Sequence, residues 1–409
     1  MGTVTDRIVI VGGGQGGFAV AAKLRALKDE RDITIIGAEQ VPPYQRPPLS
    51  KKYLLGEMSF DRLLFRPESW YGENAIDLRL ASFVERIDRD ARQVVLQDGS
   101  TIEYGTLVLA TGATPRVLPK AIGGDLDGVY VMRDKRDADR LAEAMRPGAR
   151  LLVVGGGYVG LEAAAVARKF DVDVTVIEMA DRILKRVAAP ETADIMRAVH
   201  LAHGVHIREN CGLTRLEGEN RRVVRAVLAD GTTLDVDMVV VGIGVAPNDQ
   251  LAKDAGLAVG NGITVDEFGR TSDPSIFAVG DCTELPFDGG RIRLESVPNA
   301  VDQGDAVAAV IAGSDEPYVP EPWFWSDQYD VKLQIAGYNG GYDHTVVRQG
   351  AREGAASVWY FRGDRLLAVD AVNDARAYVC AKKLLAAGGN PSPDVIADPA
   401  TDLKALAAQ

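Results

Sequence analysis

Cysteine is scarce in this chain and absent from its first 210 residues. Cys211, Cys282 and Cys380 are its only thiols, spaced too widely for a CxxC or CxxxxC redox dithiol and too few for a four-cysteine zinc or iron–sulfur site. Cys282 follows Asp281 in an apolar setting and reads as a packed thiol. Histidine is rare as well. His200, His203 and His206 cluster, but Gly204 breaks the helix they would share, so a solvated helix end is expected, and no metal. No apolar run reaches the length of about 18 residues that signals a membrane span. The N-terminus enters an apolar strand at Arg7–Val11, leaving no room for a signal peptide, so a cytoplasmic location is the default expectation. Net positive charge is also missing. At −12 the chain lacks the basic face that a nucleic-acid partner requires. The acidic excess is uneven: residues 331–409 hold nine Lys/Arg against eight Asp/Glu, a net of +1 that leaves −13 for the rest. That relatively positive end suits either the docking of an acidic partner or an ordinary solvated surface.

What is present is an internal repeat. Composition is ordinary for a globular chain, at 46% hydrophobic and 25% charged, and 409 residues suffice for two or three domains. Gly12-Gly-Gly-Gln-Gly-Gly17 and Gly155-Gly-Gly-Tyr-Val-Gly160 each follow a short apolar strand (Ile8–Val11, Leu151–Val154) and open a helix (through Ala19–Leu27 and Leu161–Phe170). Each helix leads to another apolar strand, Ile33–Ile36 and Val174–Ile177, which makes two βαβ units and two parallel sheets. Two further apolar strands end in the small-residue turns Ala110-Thr111-Gly112 and Gly242–Gly244, and segments turning at Asp98-Gly99 and Asp230-Gly231 read as β-meanders. After the Pro-rich stretch Pro317–Pro322, strands at Val346–Val347, Ser357–Arg362 and Leu366–Val372 and a helix near Ala375–Ala387 read as α+β, with a loop and one short helix after Gly388.

The glycine spacing has a mechanism. The first glycine (Gly12, Gly155) makes the tight turn, the second (Gly14, Gly157) lets backbone approach a pyrophosphate, and the third (Gly17, Gly160) lets helix pack close on strand. Gly16 and Val159 complete the two loops. An acid ending the next strand should bind the adenosine ribose and repel a 2′-phosphate. Glu178 stands there in the second copy and favours NADH, although Arg182, Lys185 and Arg186 follow and pull the other way. In the first copy Glu39 stands one place late, after Ala38, so either Glu39 or backbone would reach the ribose. The segment Thr271-Ser-Asp-Pro-Ser-Ile-Phe-Ala-Val-Gly-Asp281 delivers Gly280 and Asp281 at a strand end, where a carboxylate can meet a ribityl hydroxyl of a flavin. The first copy is therefore the flavin copy, split around an inserted nicotinamide copy.

These fingerprints, the Ala110-Thr111-Gly112 and Gly244–Asn248 turns and the Thr271–Asp281 segment together resemble the glutathione-reductase-like FAD superfamily. Arg46-Pro-Pro-Leu-Ser-Lys51, Glu295-Ser-Val-Pro-Asn-Ala300 and Pro322-Trp-Phe-Trp-Ser-Asp-Gln328 narrow the resemblance, over essentially the whole chain, to the NADH-dependent ferredoxin reductases of bacterial oxygenase systems. The fold class expected is α/β with two Rossmann-like domains: an FAD domain (1–113 and 248–316) split by an NAD domain (114–247), plus a C-terminal α+β domain (317–409). The resemblance implies that Lys51 lies beside the isoalloxazine and pairs with Glu162, the two candidate catalytic residues. It further implies that Arg46 and Arg133 serve the FAD, Asp281 the ribityl chain, Val297 the flavin pyrimidine edge and Val84 the adenine. Tyr158 and Glu162 would border the nicotinamide, Arg186 and Gly244 would belong to the NAD site, and Trp325 would cover the flavin on the partner side. Read without the family, Lys51 and Glu162 are either a buried pair or two separate surface charges, and the two tryptophans are either cofactor cover or plain core.

The implied activity is passage of electrons from NADH through FAD to an acidic [2Fe–2S] ferredoxin serving a cytochrome P450 or ring-hydroxylating oxygenase. Such an enzyme would be a monomer or weak homodimer. No histidine falls in a fingerprint, so no acid–base pair for a small organic substrate is visible. An NADH oxidase, peroxidase or coenzyme A-disulfide reductase would need a redox cysteine where this sequence has Arg46–Lys51. A flavin-bearing signalling protein like apoptosis-inducing factor is the other alternative.

Overall fold

A computed structural model describes residues 5–408. The chain divides into two compact units that do not follow chain order. One holds the described residues through Gln45, Ser59–Thr114 and Val245–Pro322. The other holds Arg46–Met58, Pro115–Gly244 and the described residues from Trp323 onward.

The first unit is built on a five-stranded parallel sheet in the order 276–278, 106–109, 8–11, 33–36, 76–79. Its central strand Ile8–Val11 is wholly apolar and buried, as a strand covered on both faces must be. Chain order reverses at that strand, so the helix Gln15–Ala26 starts at the crevice where such sheets receive ligands. Helix Val297–Ile311 packs closely on it: a side chain at Gly304 would come within 2.9 Å of Ala19 Cβ and 3.0 Å of the Gly16 carbonyl. The expected meander is present as the antiparallel strands Val84–Asp88, Gln93–Leu96 and Thr101–Glu103.

The second unit repeats the plan. Its parallel sheet runs in the order 206–208, 173–177, 150–154, 238–241, 129–130, and a meander follows at 213–219, 222–228 and 233–235. Residues from Trp323 form a five-stranded antiparallel sheet in the order 323–328, 331–337, 365–372, 356–362, 344–349. Helix Ala375–Ala386 covers one face of it, closing a core of Trp359, Phe361, Val369, Cys380 and Leu384. Each large side chain there stabilises by roughly 1.5–3 kcal/mol relative to exposure.

The sequence reading needs one addition and two corrections. Trp323–Gln328 and Val331–Gly337 are strands that it did not mark; the first has three aromatic residues followed by three polar ones, which hides the usual alternation. The tail carries two short helices, Pro393–Ala397 and Leu403–Leu406, rather than one. His200 is not at a solvated helix end: it is 0% exposed, and burial pushes its pKa down to about 4. Its ring nitrogens find partners 128 and 129 residues away, which local sequence cannot announce. His203 and His206 are exposed, as expected. Among the described residues no helix is long and apolar enough to cross a membrane, and no cluster of His, Cys, Asp or Glu could hold a metal ion.

Candidate functional site

The two glycine loops have the same geometry. Gly12 (φ +123°) and Gly155 (φ +105°) occupy backbone conformations that side chains rarely adopt. A Cβ on Gly12 would lie 2.1 Å from the Ala110 carbonyl, and one on Gly155 2.5 Å from that of Gly242. Gly17 and Gly160 are equally tight, at 2.0 Å from the Gly12 carbonyl and 2.3 Å from the Gly155 carbonyl. Gly16 is confined by Val279 and Ala300. The middle glycines are the exception: nothing lies within 4 Å of a Cβ on Gly14, and only the Gly242 oxygen, at 3.9 Å, near one on Gly157. Both are helix N-caps without a side-chain cap, and neither following helix has an acid in its first turn. Their amides and the positive helix ends are thus left for an anion, and the loops fit the dinucleotide expected at each.

Around the first loop, Glu39 accepts a hydrogen bond from the Tyr44 hydroxyl at 2.7 Å. Val84 is buried at the start of its strand. The Ala110-Thr111-Gly112 turn is fixed by Asn248, which bonds Thr111 through side chain and backbone (2.8 and 2.6 Å) and Gly112 through its amide. Gly280 donates to the Gln303 side chain at 2.7 Å, and half-buried Asp281 follows it. Val297 opens its helix beside the Ser296 cap. Around the second loop, the Glu178 carboxylate takes the amides of Gly156 and Ala180, both at 2.8 Å, so its position is set by the loop itself. The Arg186 guanidinium lies against the Gly244 turn, 3.3 Å from where a Cβ there would stand. Val159 is 44% exposed, on the first turn of the helix.

Lys51 and Glu162 meet within the second unit. Their Nζ and Oε1 atoms are 2.9 Å apart, and the Glu162 side chain is 6% exposed. Two serines complete the carboxylate's shell, Ser50 at 2.8 Å and Ser326 at 2.6 Å. The prolines of Arg46–Lys51 start a tight 3₁₀ turn that projects Ser50 and Lys51 together, and Leu54 anchors it in the core that includes Leu161. Arg46 donates to the Arg133 carbonyl at 2.9 Å, placing those two candidates side by side. Tyr158 packs its ring 5.0 Å from Phe324, and burial, with Asp370 and Tyr360 nearby, holds its phenol far above the usual range. Trp325 stacks on Trp323 at 5.6 Å; both are half-buried, so they are not plain core. Lys382 lies 5.0 Å from the Trp323 ring centre.

Ser50, Ser326 and Gln328 escaped the sequence reading. The signal was there: two polar residues at alternate positions in an aromatic strand share a face, and that face is buried.

Residues 6–304 match the model of the family described as pyridine nucleotide-disulphide oxidoreductase, and residues 323–407 that described as reductase C-terminal. Rhodocoxin reductase of Rhodococcus erythropolis is 44% identical over 97% of this chain and 93% of its own. The reductase in a crystal structure of the covalent putidaredoxin reductase–putidaredoxin complex superposes with a TM-score of 0.95 at 39% identity, covering 99% of each chain. The ferredoxin reductase for the CYP199A2 system from Rhodopseudomonas palustris also gives 0.95, at 40% identity over 98% of this chain and 100% of that one.

Proposed function

The chain belongs to the pyridine nucleotide-disulphide oxidoreductase family, and from that premise we propose that it is an FAD-dependent NADH:ferredoxin reductase. The observation that carries the reading is the pair of loops with open middle glycines, joined to a Lys51–Glu162 pair where a disulfide reductase would have its redox cysteine. The three thiols are free and buried, and burial pushes each up, Cys380 to about 11, so none is poised as a thiolate. FAD, when bound, supplies the step from a two-electron donor to a one-electron acceptor. The first unit's Gly12–Gly17, Val84, Ala110–Gly112, Asp281 and Val297 would hold it. Gly155–Gly160, Glu178, Arg186 and Gly244 would hold NADH, and Lys51 and Glu162 would orient the nicotinamide for transfer. The acceptor is an acidic [2Fe–2S] ferredoxin of a cytochrome P450 or ring-hydroxylating oxygenase, met in the cytoplasm by a monomer or weak homodimer. The test is anaerobic mixing of NADH, the flavin-loaded protein and such a ferredoxin. The expected result is a yellow protein with about one FAD per chain and bleaching of the ferredoxin. A folded, colourless preparation that FAD cannot reconstitute would overturn the reading.

Nucleotide choice follows from Glu178. Because Gly156 and Ala180 fix its carboxylate, a 2′-phosphate placed at the ribose would meet a charge that cannot turn away. Glu178→Ala combined with a neighbouring Arg should move the kcat/KM ratio toward NADPH by about tenfold or more, the scale of one lost charge repulsion. A wild-type preference for NADPH would contradict this role.

The acidic partner needs a local positive patch on an acidic protein. Lys382 and Lys383 lie on helix Ala375–Ala386, one against Trp323 and the other exposed. Reversing both charges should slow ferredoxin reduction about tenfold at low salt, fading as salt rises, and leave ferricyanide reduction nearly unchanged. Stopped-flow traces of both reactions across a salt series check it; equal losses in both would refute docking there.

A further inference from the structure

The Glu162 carboxylate ends a longer hydrogen-bonded run inside the second unit. Glu162 Oε1 accepts from Ser326 Oγ at 2.6 Å, and Ser326 Oγ accepts from Gln328 Nε2 at 3.0 Å. Gln328 Oε1 is 2.7 Å from His200 Nε2, and the Tyr329 hydroxyl is 3.2 Å from His200 Nδ1. Ser326, Gln328 and His200 are at most 1% exposed, so water offers them no alternative partner.

Elementary donor and acceptor rules then fix every hydrogen. An ionised carboxylate only accepts, so the Ser326 hydroxyl donates to Glu162 and takes the Gln328 N–H on its lone pair. The Gln328 oxygen can only accept, so His200 carries its hydrogen on Nε2. Nδ1 is then the acceptor for the Tyr329 hydroxyl. A neutral ring is required, and burial keeps His200 neutral at pH 7. All four donors point toward Glu162. An amide cannot cheaply give up and regain a proton, so the run orients rather than conducts.

We propose that Ser326, Gln328 and His200 are positioning residues for flavin reduction, a one-way run of hydrogen bonds that keeps Glu162 aimed at Lys51. Without Gln328 the Ser326 hydroxyl loses the bond that directs it, and Glu162 loses one of the contacts that fix its angle to Lys51. The run spans the strand Trp323–Gln328 and the helix Pro190–Ala202, so it also ties the aromatic segment to the pair. The proposal rests on the reading of Lys51 and Glu162 as the pair beside the flavin.

Two measurements test it. Ring-nitrogen NMR of the ¹⁵N-histidine-labelled protein as purified, with His200 assigned through His200→Gln, should show a neutral His200 with its hydrogen on Nε2 at pH 7. In stopped-flow reduction of the flavin-loaded protein by NADH, Ser326→Ala and Gln328→Met should each lower the limiting rate about tenfold, with the Kd for NADH within about twofold. The double variant should be no slower than Ser326→Ala alone, because Gln328 acts through Ser326. If Gln328→Met does not fold, Gln328→Glu, which keeps the shape and turns the Ser326 hydroxyl away from Glu162, is measured at a pH where the new carboxyl is ionised, with the same expected loss. A hydrogen on Nδ1, unchanged rates, or single losses that multiply in the double variant would overturn the proposal. Failure of wild-type flavin to be reduced by NADH would instead overturn the functional reading, while the NMR arm would still judge the run.

Discussion

Lys51→Met is expected to lose about 2–3 kcal/mol of stability and to slow flavin reduction by NADH about a hundredfold. Removing one partner of a buried ion pair leaves the other uncompensated, and Glu162 would keep only the hydroxyls of Ser50 and Ser326. The loss falls below the roughly 3–5 kcal/mol of fully buried pairs because the Lys51 side chain is 18% exposed. Adding Glu162→Gln removes the stranded charge, so the double variant should regain most of the stability. It should regain none of the rate, since the ammonium proposed to orient the reacting rings is still gone. Urea unfolding separates the first effect, and stopped-flow reduction the second. A single variant as stable as wild type, or a double variant with restored rate, would contradict the pairing argument.

The glycine loops predict an equally large and more selective effect. Gly14 and Gly157 have ordinary negative φ angles, −89° and −83°, and open space where a side chain would go. Gly14→Val should therefore fold within about 1 kcal/mol of wild type and yet be colourless, its side chain standing where the FAD pyrophosphate must come. Gly157→Val should keep its FAD and lose affinity for NADH by about a hundredfold or more. Gly17→Val should fail earlier, as folded protein, because its Cβ would sit 2.0 Å from the Gly12 carbonyl. Flavin content, melting curves and NADH titration distinguish the three outcomes. Retention of FAD by Gly14→Val would remove that loop from the flavin site.

The parts legible in the sequence are those written locally. Strand, glycine loop and helix follow one another within about 20 residues in both copies, and the structure places Ile8–Val11 and Arg150–Val154 as the central strands of two parallel sheets. Glu162 could be singled out because it follows a fingerprint. Its two serine partners were not singled out: Ser50 and Ser326 stand within motifs, but they are 112 and 164 residues away and nothing local says which side chain they meet. His200 misled for the same reason: the sequence around it describes a helix ending at Gly204, whereas its burial is set by Gln328 and Tyr329. The strand Trp323–Gln328 was hidden because its outward positions hold Trp323 and Trp325, aromatic residues that blur the usual contrast between faces.

That strand divides two kinds of contact by residue parity. Positions 324, 326 and 328 face Tyr158, Glu162 and His200, where, on the proposed reading, a change would disturb how electrons enter. Positions 323, 325 and 327 alternate with them on the other face, Trp323 beneath Lys382 and Asp327 exposed to solvent. A lineage that acquires a new electron acceptor would therefore be expected to change the odd positions, Trp325 as the proposed flavin cover excepted, before the even ones. Divergence among such reductases should accordingly run with a period of two along these six residues, fast on one face and slow on the other.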